Sequence, residues 1–463
     1  MSDGPSTKER FHREVWALAW PMAATNLLSR GAAIVDTAMV GRLSEIALAG
    51  LGMAQIPVFF AMAIQRGLGI GGQVLIAYHT GADEPERRLK VARAVVVLAG
   101  LVSLGLAAIL WLASPQMCRW MGADEAMLAE SLRFLHVYYI ALVFSGAFYV
   151  FSAIFQGAGD AKTPLYVTLG VNLLHVLVAY ATIFGKFGIP ALGVAGSAWG
   201  IGVSEAIGTL VLAVIATRRG LWAPGIRNLS LGAAKAVWRL GAPTAGERLL
   251  VNTMQGIYYR FLAGFGAAAI AAHRIGIDME AISFLPALGF GQAATTMVGQ
   301  RLGAKDPDGA RKAGWVATQI SALFMAILGA SFYLFSEQWM RLFTDESEII
   351  ALGVQFCAVA ALIQVPLAFA MVVAGALRGA GETRWVMLTP IVGGWLVRLP
   401  LSYVFGYTLG YGLVGVWWTM LADWVVRGVM VSIKFRFLRF RLAEQVSVPP
   451  KPAPGSDTRD LAG

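Results

Sequence analysis

The residues of greatest chemical interest in this chain are ionisable groups set among apolar neighbours. Asp36 follows the run Gly31-Ala32-Ala33-Ile34-Val35, and Asn172 and His175 lie one helical turn apart in another apolar stretch. Glu205 interrupts a third stretch. Glu247, Asp278, Glu280 and Arg398 follow, then Asp423 and Arg427 at i,i+4 spacing. A carboxylate in a low-dielectric setting either binds and releases a small cation or is held by an opposite charge or a hydroxyl. For Asp36 the first reading is preferred, with H⁺ or Na⁺ as the ion; the other is a helix-packing Asp paired to a hydroxyl or an Arg. Asn172 and His175 either face Asp36, the imidazole adding a group that changes charge near neutral pH, or form a hydrogen-bonded packing pair. Asp423 and Arg427 can pair along one helix face and read, with Arg398, as a structural charge network. Glu247 and Glu280, with Asp278 beside the latter, are less clearly balanced. They read as second coupling or substrate groups. Arg66, next to Gln65, faces a cleft or snorkels toward a partner.

Groups of this kind need elements that hold them in lipid. Of the 463 residues 57% are hydrophobic and only 14% charged, and the mean hydropathy is +0.65. A soluble domain carries about 25% charged residues, so this chain has too little polar surface for water. Apolar runs of span length are expected at 15–40, 46–79, 91–113, 127–156, 164–185 and 192–217, then at 236–262, 268–300, 313–335, 349–377, 385–409 and 413–435. About 20 residues cross a bilayer core, so the expected fold is an all-α integral membrane protein of twelve transmembrane helices.

An internal repeat organises these spans. Gly81-Ala82-Asp83-Glu84-Pro85 aligns with Gly303-Ala304-Lys305-Asp306-Pro307, at an offset of 303 − 81 = 222 residues. The same shift places Gly157-Ala158-Gly159-Asp160 on Gly379-Ala380-Gly381-Glu382, and Pro21 on Pro243. Each half holds an even number of spans, so the two six-helix lobes are parallel repeats with a cleft between them. The expected divisions are a polar segment at 1–14, a lobe at 15–217, a linker at 218–235, a second lobe at 236–440 and a disordered tail at 441–463. Lys and Arg crowd the loops on one side, including Arg87, Arg88, Lys162, Arg218 and Lys305. That side is expected to be cytoplasmic, with both termini there in an inner membrane.

The net charge of +10 is explained by these loops, so no nucleic-acid partner is expected. Gly67-Leu68-Gly69-Ile70-Gly71-Gly72 fits a dinucleotide fingerprint but lies inside a span with no preceding strand, and reads as a helix-packing cluster. No Walker A motif, catalytic triad or metal-ligand spacing stands out. The reading is a transporter, not an enzyme, with no cofactor beyond a coupling ion and with lipid and small organic molecules as its partners, acting as a monomer.

Several segments together resemble the multidrug and toxic compound extrusion (MATE) family. They include Pro21, Asn26 and Val35-Asp36-Thr37-Ala38-Met39-Val40-Gly41 in the first span, and Phe155-Gln156-Gly157-Ala158-Gly159-Asp160 after the fourth. Others are Glu247 after Gly241-Ala242-Pro243, the stretch from Ala272-His273 through Glu280 to Val298-Gly299-Gln300, and Trp395-Leu396-Val397-Arg398-Leu399-Pro400. The resemblance covers about residues 15–440. It implies H⁺- or Na⁺-coupled export of organic, often cationic, compounds, with Asp36 as the coupling carboxylate and Asn172 beside it. His175 stands where another site Asn is frequent, Ala179 where some members carry a second Asp, and Val251 where another branch carries a Glu. A lipid-linked saccharide flippase of the same broad superfamily is the alternative.

Overall fold

A computed structural model describes residues 7–225 and 229–440. The expected tail at 441–463 lies outside the described residues. Twelve long helices account for nearly all of the rest. The first six are α1 (Thr7–Gly41), α2 (Glu45–Gly81), α3 (Pro85–Trp120), α4 (Glu125–Gly157), α5 (Lys162–Phe184) and α6 (Val194–Arg218). The second six are α7 (Leu231–Ala263), α8 (Ala267–Gly303), α9 (Pro307–Leu334), α10 (Ser347–Gly379), α11 (Thr383–Thr408) and α12 (Gly412–Arg436). A six-residue helix, Ser336–Arg341, joins α9 to α10.

Ten of the twelve are long and apolar enough to cross a membrane by length and composition alone. The two that fall short are α1 and α7, the first helix of each lobe, because each carries charged side chains along its length. α1 also begins at Thr7 rather than at 15. Its early turns are not a loose polar segment: Phe11 and Val15 are buried, and Arg301 of α8 stacks on the Phe11 ring. Lipid explains the outward faces. On α5, Tyr166, Leu169, Leu173, Leu177 and Tyr180 form one exposed stripe at helical spacing, which water would not favour.

The repeat is present in backbone conformation as well as in sequence. Asp83 and Lys305, 222 residues apart, both hold positive φ, at 53° and 59°. Gly159 and Gly381, another such pair, hold 91° and 85°, which glycine adopts without strain. The acid after each of those glycines ties its loop to the sixth helix of its lobe or the residue that caps it: Asp160 pairs with Arg219, and Glu382 with Lys434.

The lobes share a core at one end only. The largest buried apolar cluster draws Met22, Leu75 and Ile154 from one lobe and Val237, Met297 and Val372 from the other. All lie in the halves nearest the basic loops. The other two clusters stay within single lobes: Leu51, Leu135 and Ile183 in the first, Met279, Phe356 and Trp417 in the second. A cleft therefore separates the lobes toward the far end. At the shared end α1 lies on α8 and α7 on α2. Small residues permit the approach: a Cβ on Gly67 would meet the Gly241 carbonyl at 2.6 Å and the Ala245 Cβ at 2.8 Å. The repeat-related Gly289 packs on Ala23 in the same way. Of the glycine cluster at 67–72, Gly67 and Gly71 thus form a seam between lobes, while Gly69 and Gly72 pack on Tyr149 and Val95 of their own lobe.

Candidate functional site

The first lobe gathers its polar groups where α1, α5 and α6 meet. Asp36 is buried five residues before the end of α1. Its Oδ2 accepts a hydrogen bond from Ser197 Oγ of α6 at 2.6 Å. His175 Nε2 of α5 lies 3.5 Å from its Oδ1. That oxygen has no hydrogen-bond partner, and neither does the buried Asn172 Nδ2 one turn along α5. A buried carboxylate oxygen without a donor is costly unless a proton or cation joins it. Glu205 is within electrostatic reach of His175 and accepts a hydrogen bond from Ser145 Oγ of α4. Asp36, His175 and Glu205 therefore form a group of buried or half-buried ionisable side chains inside this lobe.

The second lobe distributes its charges differently. Asp423 is fully buried and accepts from Arg427 Nε at 2.5 Å and Nη2 at 2.9 Å, with Arg398 Nη1 at 3.9 Å. Arg398 lies over the Tyr258 ring at 3.9 Å, a stacking that favours a guanidinium. Room for this network comes from α11, whose Ile391–Arg398 stretch winds as π-helix. Pro400 has no N–H to continue the regular ladder, and a Cβ on Gly394 would come within 2.9 Å of Arg427 Nη2. Glu280 is buried near Arg398, and its carboxylate makes no hydrogen bond or ion pair among the described residues.

Two expectations about balance change. Glu247 is not unbalanced: Arg378 Nη2 donates to both of its oxygens, at 2.7 and 2.8 Å. Arg378 counts by sequence as a loop base, yet it reaches back along α10 to α7. Asp278 is not in a buried site with Glu280. It is partly exposed and held by Arg30 of α1 at 2.8 Å and Arg274 of its own helix at 2.9 Å, so it links the two lobes. Arg30, Arg274 and Arg248 lie inside spans, and their signal in the sequence is the same break in an apolar run that marks Asp36. Ser197 had no signal, being one small polar residue among many.

Comparison with known proteins matches this arrangement. The MatE family model fits the chain twice, over residues 21–181 and 243–404, the two starts again 243 − 21 = 222 residues apart. A probable multidrug resistance protein NorM of Thermotoga maritima is 31% identical over 428 residues, 91% of this chain and 92% of the relative. The uncharacterized transporter YisQ of Bacillus subtilis is 26% identical over 425 residues, 91% and 93% of the two. Among solved structures, the Vibrio cholerae MATE transporter VcmN in its bent form superposes with a TM-score of 0.86 at 20% identity, over 93% of this chain and 98% of that one. A MOP-superfamily transporter from Pyrococcus furiosus gives 0.85 at 20% identity, over 92% and 95%. With both halves fitted by one family model and a relative alike along almost its whole length, the chain belongs to the MATE family of multidrug efflux transporters.

Proposed function

We propose that this chain exports organic compounds by alternating access and takes up protons in exchange, with Asp36 as the coupling group and His175 as its partner. The observation that carries the reading is Asp36 Oδ1, buried without a hydrogen bond and with the titratable His175 Nε2 at 3.5 Å. The donor set favours H⁺ over Na⁺. A hard cation takes several oxygen ligands, and here the groups in contact with the Asp36 carboxylate are one hydroxyl, of Ser197, and one imidazole, of His175. With the basic loops cytoplasmic, the shared core closes the inner side and the cleft opens outward. Protonation would remove the charge that holds α1 to α5 and α6, freeing α1 to move at Pro21.

The test is ethidium efflux from proteoliposomes, with pH and Na⁺ gradients imposed separately, for wild type and Asp36→Asn. The expected result is efflux driven by the pH gradient and lost in the variant. Efflux driven only by Na⁺, or full efflux by a well-expressed Asp36→Asn, would overturn the coupling role. The lipid-linked saccharide flippase remains the second reading, and one observation favours it: the arginines Arg66 and Arg248 in the cleft.

A further inference from the structure

Just beyond the Gly67–Ala245 contact, on the side away from the Gly71–Val237 contact, each helix carries an arginine. Arg66 precedes Gly67 directly, and Arg248 lies one turn after Ala245. Both are half-buried, on two helices that meet at the Gly67–Ala245 contact. Neither makes a hydrogen bond or an ion pair among the described residues. The nearest acid to Arg248 along the chain, Glu247, is occupied at both oxygens by Arg378. The floor of the cleft thus holds more positive charge than its own carboxylates offset. Two neighbouring guanidiniums repel, and in a partly desolvated position they lack water to screen them. An oxyanion between them would relieve the repulsion and fill two planar donor forks at once.

The pair does not follow from the repeat. At the 222-residue offset Arg66 corresponds to Leu288 and Arg248 to Asn26. On that second seam Asn26 donates to the neutral Gln292 at 3.3 Å. The arginine pair without a carboxylate partner occurs at this position on one seam only, while the arginines of the other seam, Arg30 and Arg274, share Asp278; that asymmetry suits a ligand lying across the cleft with one anionic end.

We propose that Arg66 and Arg248 bind the carboxylate, sulfonate or phosphate of the exported compound, so that the substrate class extends from organic cations to organic anions and zwitterions. This rests on the efflux reading for the organic part of the ligand. A phosphate-bearing lipid presents the same chemistry from another source, and the test separates the two.

The experiment measures equilibrium binding of fluorescein, a carboxylate dye, to the purified full-length protein in neutral detergent. Wild type, Arg66→Gln, Arg248→Gln and the corresponding Lys variants are compared. Fluorescein is expected to bind wild type and to weaken about tenfold or more with each Gln substitution, with partial retention in Lys, which keeps the charge but loses the fork. Excess inorganic phosphate should displace the dye from wild type, a readout that stands even if a Gln variant does not fold. No fluorescein binding by wild type, or equal binding by folded variants, overturns the proposal. Absence of dye binding together with co-purified anionic lipid that disappears in the Gln variants would assign the pair to a lipid headgroup and overturn the soluble-anion assignment. Ethidium efflux by wild type without fluorescein binding would sink this proposal and leave the efflux reading standing. Fluorescein binding without efflux of either dye would do the reverse.

Discussion

His175 Nε2 stands 3.5 Å from Asp36 Oδ1 while Ser197 Oγ holds the other oxygen at 2.6 Å, so one carboxylate on α1 is gripped by α5 and α6 together. The imidazole is the only one of these partners that can itself change charge near neutral pH. His175→Ala is therefore expected to slow proton-driven efflux about tenfold, equivalent to roughly 1.4 kcal/mol, and to flatten its pH profile. Initial efflux rates at a constant pH difference, with absolute pH stepped from about 6 to 8, check this. A profile identical to wild type would remove His175 from the proton step.

Gly81 and Gly303 press on each other's helix at the shared end of the lobes. A Cβ on Gly81 would overlap the Gln300 carbonyl, and one on Gly303 would overlap the Tyr78 carbonyl; Tyr78 and Gln300 are themselves related by the repeat. Gly81→Ala is expected to force this seam apart. Thr296 is fully buried in the seam, bonded to Gln156 of the opposite lobe at 3.0 Å. A Thr296→Cys reporter should resist a soluble maleimide in the parent protein and react at least tenfold faster when combined with Gly81→Ala. The two native cysteines, Cys118 and Cys357, are buried and give little background. Equal protection in both proteins would mean that the seam tolerates the methyl group.

Removing Asp423 leaves Arg427 and Arg398 buried without their shared carboxylate. Breaking a buried pair on one side costs about 3–5 kcal/mol. Asp423→Ala should therefore lower the unfolding temperature in detergent sharply. The pair of changes Asp423→Leu and Arg427→Met, which removes one charge of each sign and leaves Arg398 as the remaining buried base, should recover part of the loss. If the single and double variants melt alike, the network is not a stability element.

Acid sensitivity should come partly from the loop after α4. Burial tends to raise the Asp160 carboxyl, but its bonds from the Thr163 hydroxyl and backbone N–H, together with Arg219, outweigh burial and hold it below the usual carboxylate range. With the folded value depressed, the stabilisation is fully present above the unfolded value of about 3.9 and is lost as pH falls through the folded value. Asp160→Asn should lower stability at neutral pH and show a shallower decline on acidification. Thermal melts at neutral pH and near pH 4 test both signs, and parallel curves for the two proteins would contradict the assignment.

The repeat was legible because it resides in loops, where glycine and acid positions are few and each has a conformational reason. Gly159 and Gly381 need positive φ, and Asp160 and Glu382 need a base on or just past the sixth helix. Helix faces were harder to read. Nearly every span is apolar all round, so periodicity does not say which side packs. Gly67 and Gly100 look alike in sequence, yet a Cβ on the first would strike α7 and one on the second would meet nothing within 4 Å. Site partners were illegible for a related reason. Ser197 reaches Asp36 across 161 residues, and Arg378 reaches Glu247 across 131. Only the folded helices bring such pairs together.

The crossing of α1 onto α8 and of α7 onto α2 has a further consequence. Each half offers its first helix to the other half's second, which is the self-complementary geometry of a two-fold dimer interface. A six-helix ancestor could have met a copy of itself through these same surfaces before the two were joined. The connection between α6 and α7 then raises the effective concentration of the halves to the millimolar range, and its Leu221 adds to the core that they share. The two halves made as separate polypeptides should accordingly assemble as subunits, and once the genes were fused each half was free to specialise, one keeping the Asp36 group and the other its buried arginines.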